Sequence, residues 1–175
     1  MQSNEEMSDV MDTYGGYLLQ LSYMYVKDWT AAEDIVQESF IKFFKATDQF
    51  EGRASLKTYL AKIVIHTSTD YLRSWKARKN LLSNIVLHTK DKKSALVDQV
   101  LLANIQQTEL TKHVLHLPLK YREVIVLFYY EEMTSAEIAQ ITGISENTVK
   151  TRLKRGREQL RARLNEEDWE VFLYE

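Results

Sequence analysis

The chain has 175 residues and a mass of 20.6 kDa, which allows one average domain or two small ones and excludes a large multidomain enzyme. Hydrophobic residues make up 45% and charged residues 27%, with one Pro and five Gly, a composition typical of a folded, helix-rich protein. The lack of cysteine excludes disulfides, thiolate zinc sites and a cysteine nucleophile. The acidic N-terminus does not resemble a signal peptide and no apolar stretch could cross a bilayer, so we expect a cytoplasmic protein.

Charge is unevenly placed along the chain, although the net charge is only −2 and the pI is near 6.1. Both ends are acidic, whereas residues 57–79 and 146–163 each carry a net charge of +5. Phosphate contact needs such a concentrated positive surface. Each basic block is therefore a candidate nucleic-acid surface, and a solvated helix face is the alternative for either block taken alone.

The first half of the chain shows three helical patterns. Apolar spacing predicts helices over Tyr14–Val26 and from Thr30 to about Thr47, and Ser55 can cap a long helix from Leu56 to about Lys79 that carries the first basic block. The second helix has an apolar stripe on one side. Its outer face combines two acids, one amide, one aliphatic residue and two lysines, namely Asp34, Glu38, Gln37, Ile41, Lys42 and Lys45.

Residues 80–99 lose clean periodicity and become polar, which indicates a linker between domains. A helical pattern then runs from Val100 to Leu117, and Pro118 ends it and can open the next helix, Leu119 to about Glu131. The sequence therefore predicts an all-α chain in which a flexible linker, residues 81–104, joins two small helical domains, residues 10–80 and 105–164.

A helix-turn-helix is predicted in the second domain. Thr134 to Glu137 fits a capping box that opens a helix through Thr142, Gly143 can adopt the positive φ that the turn needs, and Ser145 can cap a second helix to about Arg163. Gly156 inside this last helix costs about 1 kcal/mol relative to Ala, and the sequence offers no reason for it.

In a helix-turn-helix the second helix enters the major groove, where its first residues reach base edges and its flanks contact phosphates. The polar and basic residues on the exposed side of this helix are Asn147, Lys150, Thr151, Arg152, Lys154 and Arg155. A helical hairpin with a merely solvated basic face is the alternative.

Two separated stretches resemble one family. AEDIVQESF (32–40), FEGRASLKTYLAKI (50–63) and DYLRSWKARK (70–79) resemble region two of the bacterial sigma factors of the extracytoplasmic-function (ECF) group. The stretch from Leu117 to Leu160 resembles their region four. The resemblance implies a transcription initiation factor that binds core RNA polymerase and promoter DNA.

By this resemblance, the first domain docks on the clamp coiled coil of the largest polymerase subunit through Asp34, Gln37, Glu38, Ile41 and Phe44. It binds the minus-ten element through Lys57, Tyr59, Lys62, His66, Arg73 and Lys76. Tyr59 stands where Trp is frequent in the family and His66 where Asn is frequent. Asp70 is expected to pair with a nearby arginine rather than to contact DNA. The second domain reads the minus-thirty-five element and contacts the polymerase flap. Members of the group are commonly held inactive by an anti-sigma factor, often one anchored in the membrane.

Other functional classes have less support in the sequence. No phosphate loop, nucleophile elbow or metal-ligand cluster is evident, and His113 and His116 share a helix face without a third ligand, so we expect no catalytic residue, metal, cofactor or small-molecule substrate. A stand-alone helix-turn-helix regulator is the main alternative, and a helical antagonist that mimics a polymerase-binding partner is the third. The second basic helix and the outer face of the second helix favour the sigma factor.

Overall fold

The computed structural model describes residues 4–46, 55–82, 109–166, 169, 170 and 172. The chain divides into two compact units, Met1–Leu101 and Leu102–Glu175. Within the described residues every regular element is helical, which confirms the predicted all-α class with two helical domains. The predicted linker, residues 81–104, lies outside the described residues except for its first two, which end a helix. Among the helices that the structure describes, none combines the length and apolar composition needed to cross a bilayer.

The first unit is a three-helix bundle of α1 (Asn4–Val26), α2 (Trp29–Lys45) and α3 (Leu56–Leu82), and each helix packs against the other two. Its core is formed by residues from all three, including Leu18, Leu21, Tyr25, Ile35, Phe40, Phe43, Leu60, Val64 and Ile65. Helix α1 begins about three turns earlier than predicted. Its first turns are mostly polar and Met11 there is 43% exposed, so they lack the apolar periodicity that marks a core-facing helix.

The start of α2 fixes which side of that helix faces the core. The Asp28 carboxylate accepts a hydrogen bond from the Ala31 amide at 2.8 Å as the N-cap. The next residue, Trp29, stacks on Tyr23 of α1 with ring centroids 3.9 Å apart. With Trp29 buried at this end and Phe43 buried at the other, the opposite side of α2 is left to solvent.

The second unit contains α4 (Glu109–His116), α5 (Leu119–Ile125), α6 (Ser135–Thr142) and α7 (Glu146–Arg161). Helix α5 continues into a π-helical turn, Val126–Tyr130, so the predicted helix Leu119–Glu131 is present but widens in its second half. Of the pattern predicted from Val100 to Leu117, only the part from Glu109 lies in the described residues.

A buried arginine ties α4 to α5. Arg122 is 5% exposed, and its Nη1 donates to the carbonyl oxygens of Leu115 at 3.2 Å and Leu117 at 3.0 Å. These carbonyls belong to the end of α4 and the turn after it, where the helix has no backbone donors of its own to offer. Arg122 is thus a structural residue of the second unit.

The structure supplies the reason for Gly156. A Cβ at this position would lie 3.0 Å from Cγ1 of Ile125 and 3.6 Å from Cβ of Tyr121. Helices α5 and α7 therefore pack closely at Gly156, where any larger residue would have to displace the Ile125 side chain, and this close contact accounts for a residue of poor helix propensity.

The end of the chain packs back on the second unit. Phe172 is 3% exposed, and its ring centroid lies 4.4 Å from that of Tyr129. Arg161 donates to Glu166 at 2.9 Å and stands over the ring of Trp169 at 5.5 Å. The C-terminal segment, acidic in the sequence, thus also carries aromatic residues that contribute to the core of this unit.

Candidate nucleic-acid interfaces

The turn between α6 and α7 has the predicted geometry. Thr134 and Glu137 form both hydrogen bonds of a capping box, Gly143 has a φ of 70°, and the Ser145 hydroxyl accepts from the Thr148 amide at 3.2 Å. Ile138 of α6 and Val149 of α7 are both fully buried. This is a helix-turn-helix with α7 as its second helix.

Helix α7 buries one narrow side and exposes the rest. Val149, Leu153, Gly156 and Leu160 form the buried side. Of the residues predicted to bind DNA, Arg152 is half-buried and the others are exposed, namely Asn147, Lys150, Thr151, Lys154 and Arg155. The structure therefore brings five of the six to the solvent side of one helix, with Arg152 at the edge of the buried side.

Two of these residues already have local partners. Lys150 Nζ lies 2.7 Å from a carboxylate oxygen of Glu146, one turn earlier. The Thr151 hydroxyl donates to the Asn147 carbonyl at 2.8 Å. Both contacts are exposed, so DNA can compete for the cation and can still use the oxygen of Thr151 as an acceptor.

A pocket of about 330 Å³ lies beside α7, between its first turns and the start of α5. Cations and hydrogen-bonding side chains line this basic pocket, among them Lys120, Tyr121, Asn147, Thr151, Arg152 and Arg155. Sequence reasoning missed Lys120 and Tyr121 because they precede the helix-turn-helix by more than a dozen residues. The only sequence signal of their proximity was Gly156, which marks a close helix contact.

Helix α3 carries the residues predicted for the minus-ten element. Lys57, His66, Arg73 and Lys76 are exposed, and Tyr59 and Lys62 are half-buried. Helical spacing places five of them on the side opposite the buried residues of α3, namely Tyr59, Lys62, His66, Arg73 and Lys76.

Lys57 is separate from this stripe. Its Nζ stands 4.4 Å from the ring centroid of Tyr17 in α1, on the side that α3 buries further along. Tyr59, in contrast, reaches the aromatic cluster of α2, with its ring centroid 6.1 Å from that of Phe43. Asp70 lies 3.7 Å from Arg73, which confirms the predicted local pair.

The outer face of α2 presents the residues predicted to contact polymerase. Asp34, Gln37, Glu38 and Ile41 are exposed, and Ile41, a large apolar side chain, is 54% exposed. The fifth predicted residue, Phe44, is half-buried, with its ring 5.1 Å from that of Phe43.

Helix α2 also binds α3 at the edge of this face. Lys42 Nζ lies 2.7 Å from a carboxylate oxygen of Glu38 and donates to the Thr67 hydroxyl at 3.1 Å. The carboxylate of Glu38 is thereby held by a neighbour that is itself anchored on α3. Its position relative to the rest of the bundle is fixed before any partner binds.

Of the two histidines considered as metal ligands, His116 has another contact. Its Nδ1 lies 2.7 Å from the Lys112 carbonyl oxygen, one turn earlier. Within the described part of the chain there is no group of three His, Cys, Asp or Glu side chains arranged to hold a metal ion.

These features define a two-unit helical protein whose second unit is a helix-turn-helix and whose first unit presents a second basic helix beside an exposed mixed face. The chain matches the family models described as Sigma-70 region 2, over residues 10–78, and Sigma-70, region 4, over residues 108–160. It is 34% identical over 174 residues to the ECF RNA polymerase sigma factor SigW of Bacillus subtilis, covering 93% of this chain and 90% of SigW. It is 33% identical to RNA polymerase sigma factor SigV of the same organism, covering 85% of each.

The fold is similar to that of two solved structures. One is the sigma factor RpoE in complex with the anti-sigma factor NepR from Bartonella quintana, with a TM-score of 0.66, 20% identity and coverage of 90% of this chain and 96% of that one. The other is CnrH in complex with the cytosolic domain of CnrY, with a TM-score of 0.57, 22% identity and coverage of 91% and 88%. The chain belongs to the ECF group of the sigma-70 family, and this membership favours a sigma factor over a stand-alone regulator.

Proposed function

We propose that this sigma factor binds core RNA polymerase and directs initiation at promoters with two spaced elements. The observation that carries the proposal is that one chain combines a helix-turn-helix with a second basic helix in a separate unit. A stand-alone regulator of duplex DNA needs only the former. Two weak contacts joined in one chain bind a correctly spaced pair of sites far more tightly than either alone.

Each of the two units has a separate role in this proposal. Residues 10–80 form the polymerase-docking and minus-ten domain, and residues 105–164 form the minus-thirty-five domain. In the second, α7 enters the major groove, where Asn147, Lys150, Thr151 and Lys154 are placed to reach base edges. Arg152 and Arg155 flank them and suit phosphate contacts.

The outer face of α2 is the polymerase-docking surface. Exposed acids and an amide surround Ile41, so the face offers both charge for a basic partner and an apolar centre that becomes buried on binding. This composition fits the clamp coiled coil of the largest polymerase subunit. The second unit additionally contacts the flap.

The exposed stripe on α3 binds the minus-ten element as its strands separate. Lys62, Arg73 and Lys76 follow the backbone, and Tyr59 and His66 offer flat rings to an unstacked base. Tyr59 is supported from behind by Phe43, which keeps the ring in place. With Tyr and His where the family commonly has Trp and Asn, the preferred minus-ten sequence differs from that of many relatives.

An anti-sigma factor controls the protein by covering these surfaces, held at the membrane in the arrangement common in the group. Support comes from the similar structure of RpoE, which is a complex with the anti-sigma factor NepR, and from that of CnrH, which is a complex with the cytosolic domain of CnrY. An envelope or other stress that releases the anti-sigma factor then activates transcription.

The test is transcription from a random promoter library by purified core RNA polymerase, with and without the protein. Initiation that depends on the protein and selects two spaced motifs supports the proposal and yields the promoter consensus. Core that stays silent while the protein alone binds duplex DNA tightly contradicts it and favours a stand-alone regulator.

A variant pair tests the docking surface. Gln37→Ala with Glu38→Ala should weaken core polymerase binding about tenfold and leave the melting temperature near that of wild type, because both side chains are exposed. The matched control removes an amide and a carboxylate from the exposed side of α1, Gln20→Ala with Asp12→Ala, and should bind core normally. Equal weakening by both pairs would contradict a specific surface on α2.

A further inference from the structure

The basic pocket of the second unit takes five of its seven lining residues from the helix-turn-helix and two from outside it. Asn147, Thr151, Arg152 and Arg155 come from α7, but Lys120 and Tyr121 come from α5. Helix α5 lies outside the two helices that define the motif. The volume of about 330 Å³ is at the lower end of the range for sites that take a small group.

The positive charge of the pocket is not balanced by a carboxylate of the described residues. Lys120, Arg152 and Arg155 all border it, and among the residues that the structure describes no carboxylate lies within ion-pair distance of any of them. Two of the other four cations of α7 differ in this respect, since Lys150 pairs with Glu146 and Arg161 with Glu166. Three such charges held close together repel one another, and an anion between them removes the repulsion.

Tyr121 links the two helices across the pocket. Its body is buried at 8% exposure, and Lys120 Nζ stands 4.9 Å from its ring centroid. The Arg155 guanidinium beside the Tyr121 hydroxyl lowers the pKa of the phenol from its usual 10.0 against the opposing effect of burial, with a smaller contribution from Lys120. Tyr121 and Arg155 border the same pocket, so the phenol lies where it can orient the guanidinium.

The position of the pocket indicates that it contacts a backbone phosphate of the DNA and not a base edge. Lys150 and Lys154 lie on the exposed side of α7 outside the pocket, whereas Asn147, Thr151, Arg152 and Arg155 border it on the flank shared with α5. When a recognition helix lies in the major groove, elements beside it cross the DNA backbone. A phosphodiester is then the group that meets the flank of α7.

We propose that the basic pocket binds one backbone phosphate of the minus-thirty-five duplex, with Lys120 and Arg155 contacting the phosphate and Tyr121 acting as a positioning residue for Arg155. The inference rests on the proposed function and deepens it by adding α5 to the DNA interface. Gly156 contributes to the same arrangement, because a Cβ there would crowd the Ile125 side chain at 3.0 Å where α5 packs on α7.

The experiment uses holoenzyme formed from the full chain and core polymerase, on a promoter taken from the library selection. A neutral methylphosphonate replaces the phosphates of the minus-thirty-five region one at a time. With the wild-type protein, one position flanking the bases read by α7 should cost about tenfold in affinity. Lys120→Ala should cost about the same on normal DNA, lower the slope of log affinity against log salt by about one, and show no further loss with methylphosphonate at that position.

Lys112→Ala is the matched control, since Lys112 is an exposed lysine of α4 in the same unit but outside the pocket. It should keep both the affinity and the methylphosphonate sensitivity of wild type. If Lys120→Ala behaves in the same way as Lys112→Ala on a promoter that holoenzyme still binds, the inference is wrong and the proposed function stands. If holoenzyme selects no promoter at all, the proposed function itself has failed.

Tyr121→Phe tests the positioning role, because it removes only the hydroxyl. We expect about a threefold loss of affinity in the wild-type background and none in an Arg155→Ala background, at an unchanged melting temperature. A purely structural hydroxyl would give the same loss in both backgrounds. Ring-carbon NMR should also show the pKa of Tyr121 rising toward 10.0 in Arg155→Ala.

A free phosphorylated ligand offers the same chemical group as the DNA backbone. Inorganic phosphate is the probe that distinguishes a site for a free ligand from a site for a backbone phosphate. Shifts of the Arg155 side-chain signals by inorganic phosphate, combined with DNA binding that ignores both methylphosphonate and Lys120→Ala, would overturn the proposal and assign the pocket to a free ligand. Absence of such shifts at millimolar phosphate, with the methylphosphonate effect present, supports it.

Discussion

The two basic helices, α3 and α7, begin in the same way and differ in what lies beside them. Ser55 and Thr58 open α3 with hydroxyl oxygens 2.8 Å apart and an amide-to-hydroxyl bond of 3.1 Å, and Ser145 and Thr148 open α7 with 2.8 Å and 3.2 Å. The cap therefore fixes only where each helix starts. The neighbouring helix differs between the two, since Lys120 and Tyr121 of α5 flank α7 whereas the aromatic ring of Phe43 in α2 packs against Tyr59 of α3.

Helices α3 and α7 also differ in length, and this difference fits their proposed DNA targets. Helix α7 has 16 residues and its buried side runs to Leu160, near its end, so all of it is held against the second unit. Helix α3 has 27 residues, and from Arg73 through Lys76 every side chain is exposed. A short, fully seated helix suits the fixed geometry of a duplex groove, and a helix with a projecting end suits a strand that changes its path during opening.

The largest expected effect is on the free energy of unfolding of the second unit, which contains α7. Arg122→Ala should lower the free energy of unfolding of the second unit by about 1.5–3 kcal/mol, because two buried carbonyls lose a charged donor. Amide hydrogen exchange measures this separately for each unit, and protection in α1 to α3 should be unchanged. Arg163→Ala, at an exposed arginine, is the control and should have no effect beyond about 0.5 kcal/mol. An equal loss of protection in both units would show that Arg122 is not local to the second.

The next effect distinguishes base reading on α7 from backbone contact on α3. Lys150→Ala should weaken binding to the minus-thirty-five duplex by about 1–3 kcal/mol and relax the preference at one base position. Arg73→Ala on α3 should leave that duplex affinity unchanged and weaken binding to single-stranded minus-ten DNA. Competition binding with a set of single-base promoter variants measures both. A uniform loss for Lys150→Ala on all variants would reassign it to a phosphate.

The third prediction concerns the close packing of α7 against α5 at Gly156. Gly156→Ala gains about 1 kcal/mol in helix propensity but places a methyl group 3.0 Å from Ile125, and overpacking of this kind costs about 1–3 kcal/mol, so we expect a net loss near 1 kcal/mol. In an Ile125→Ala background the same change should stabilise the protein, because the methyl group then fills space. Urea unfolding of the four variants gives both values. The same sign in both backgrounds would contradict a steric role for this glycine.

The parts of the structure that sequence predicted are those encoded within a few residues. The capping box at Thr134, the left-handed Gly143 and the Ser145 cap depend on side chains three positions apart, and the structure confirms each. The buried stripe of α2 is equally local, because helical periodicity alone determines it. Local patterns thus sufficed for the fold class and for the exposed face of α7.

The parts that sequence did not predict depend on contacts between distant segments. Lys120 and Tyr121 join the basic pocket only because α5 and α7 pack closely, and nothing in their own neighbourhood marks them. Lys57 shares a basic block with Arg73, but its contact with Tyr17 separates it from the stripe. The widening of α5 at Val126 and the packing of Phe172 on Tyr129 are likewise tertiary effects without a local pattern.

The smallest expected effect compares one ion pair on each basic helix. Asp70 and Arg73 on α3 are 3.7 Å apart with side chains 70% and 75% exposed, so Asp70→Ala should change the free energy of unfolding by less than about 0.5 kcal/mol. Glu146 on α7 lies 2.7 Å from Lys150 and in the first turn, where a carboxylate also favours the helix, so Glu146→Ala should cost slightly more, about 0.5–1 kcal/mol. Urea unfolding at low and high salt measures both, and salt should reduce the two effects together. A larger loss of stability for Asp70→Ala than for Glu146→Ala would mean that ion pairs stabilise the exposed end of α3. That result would contradict the proposed difference between α7, which packs along its whole length, and α3, whose end is exposed.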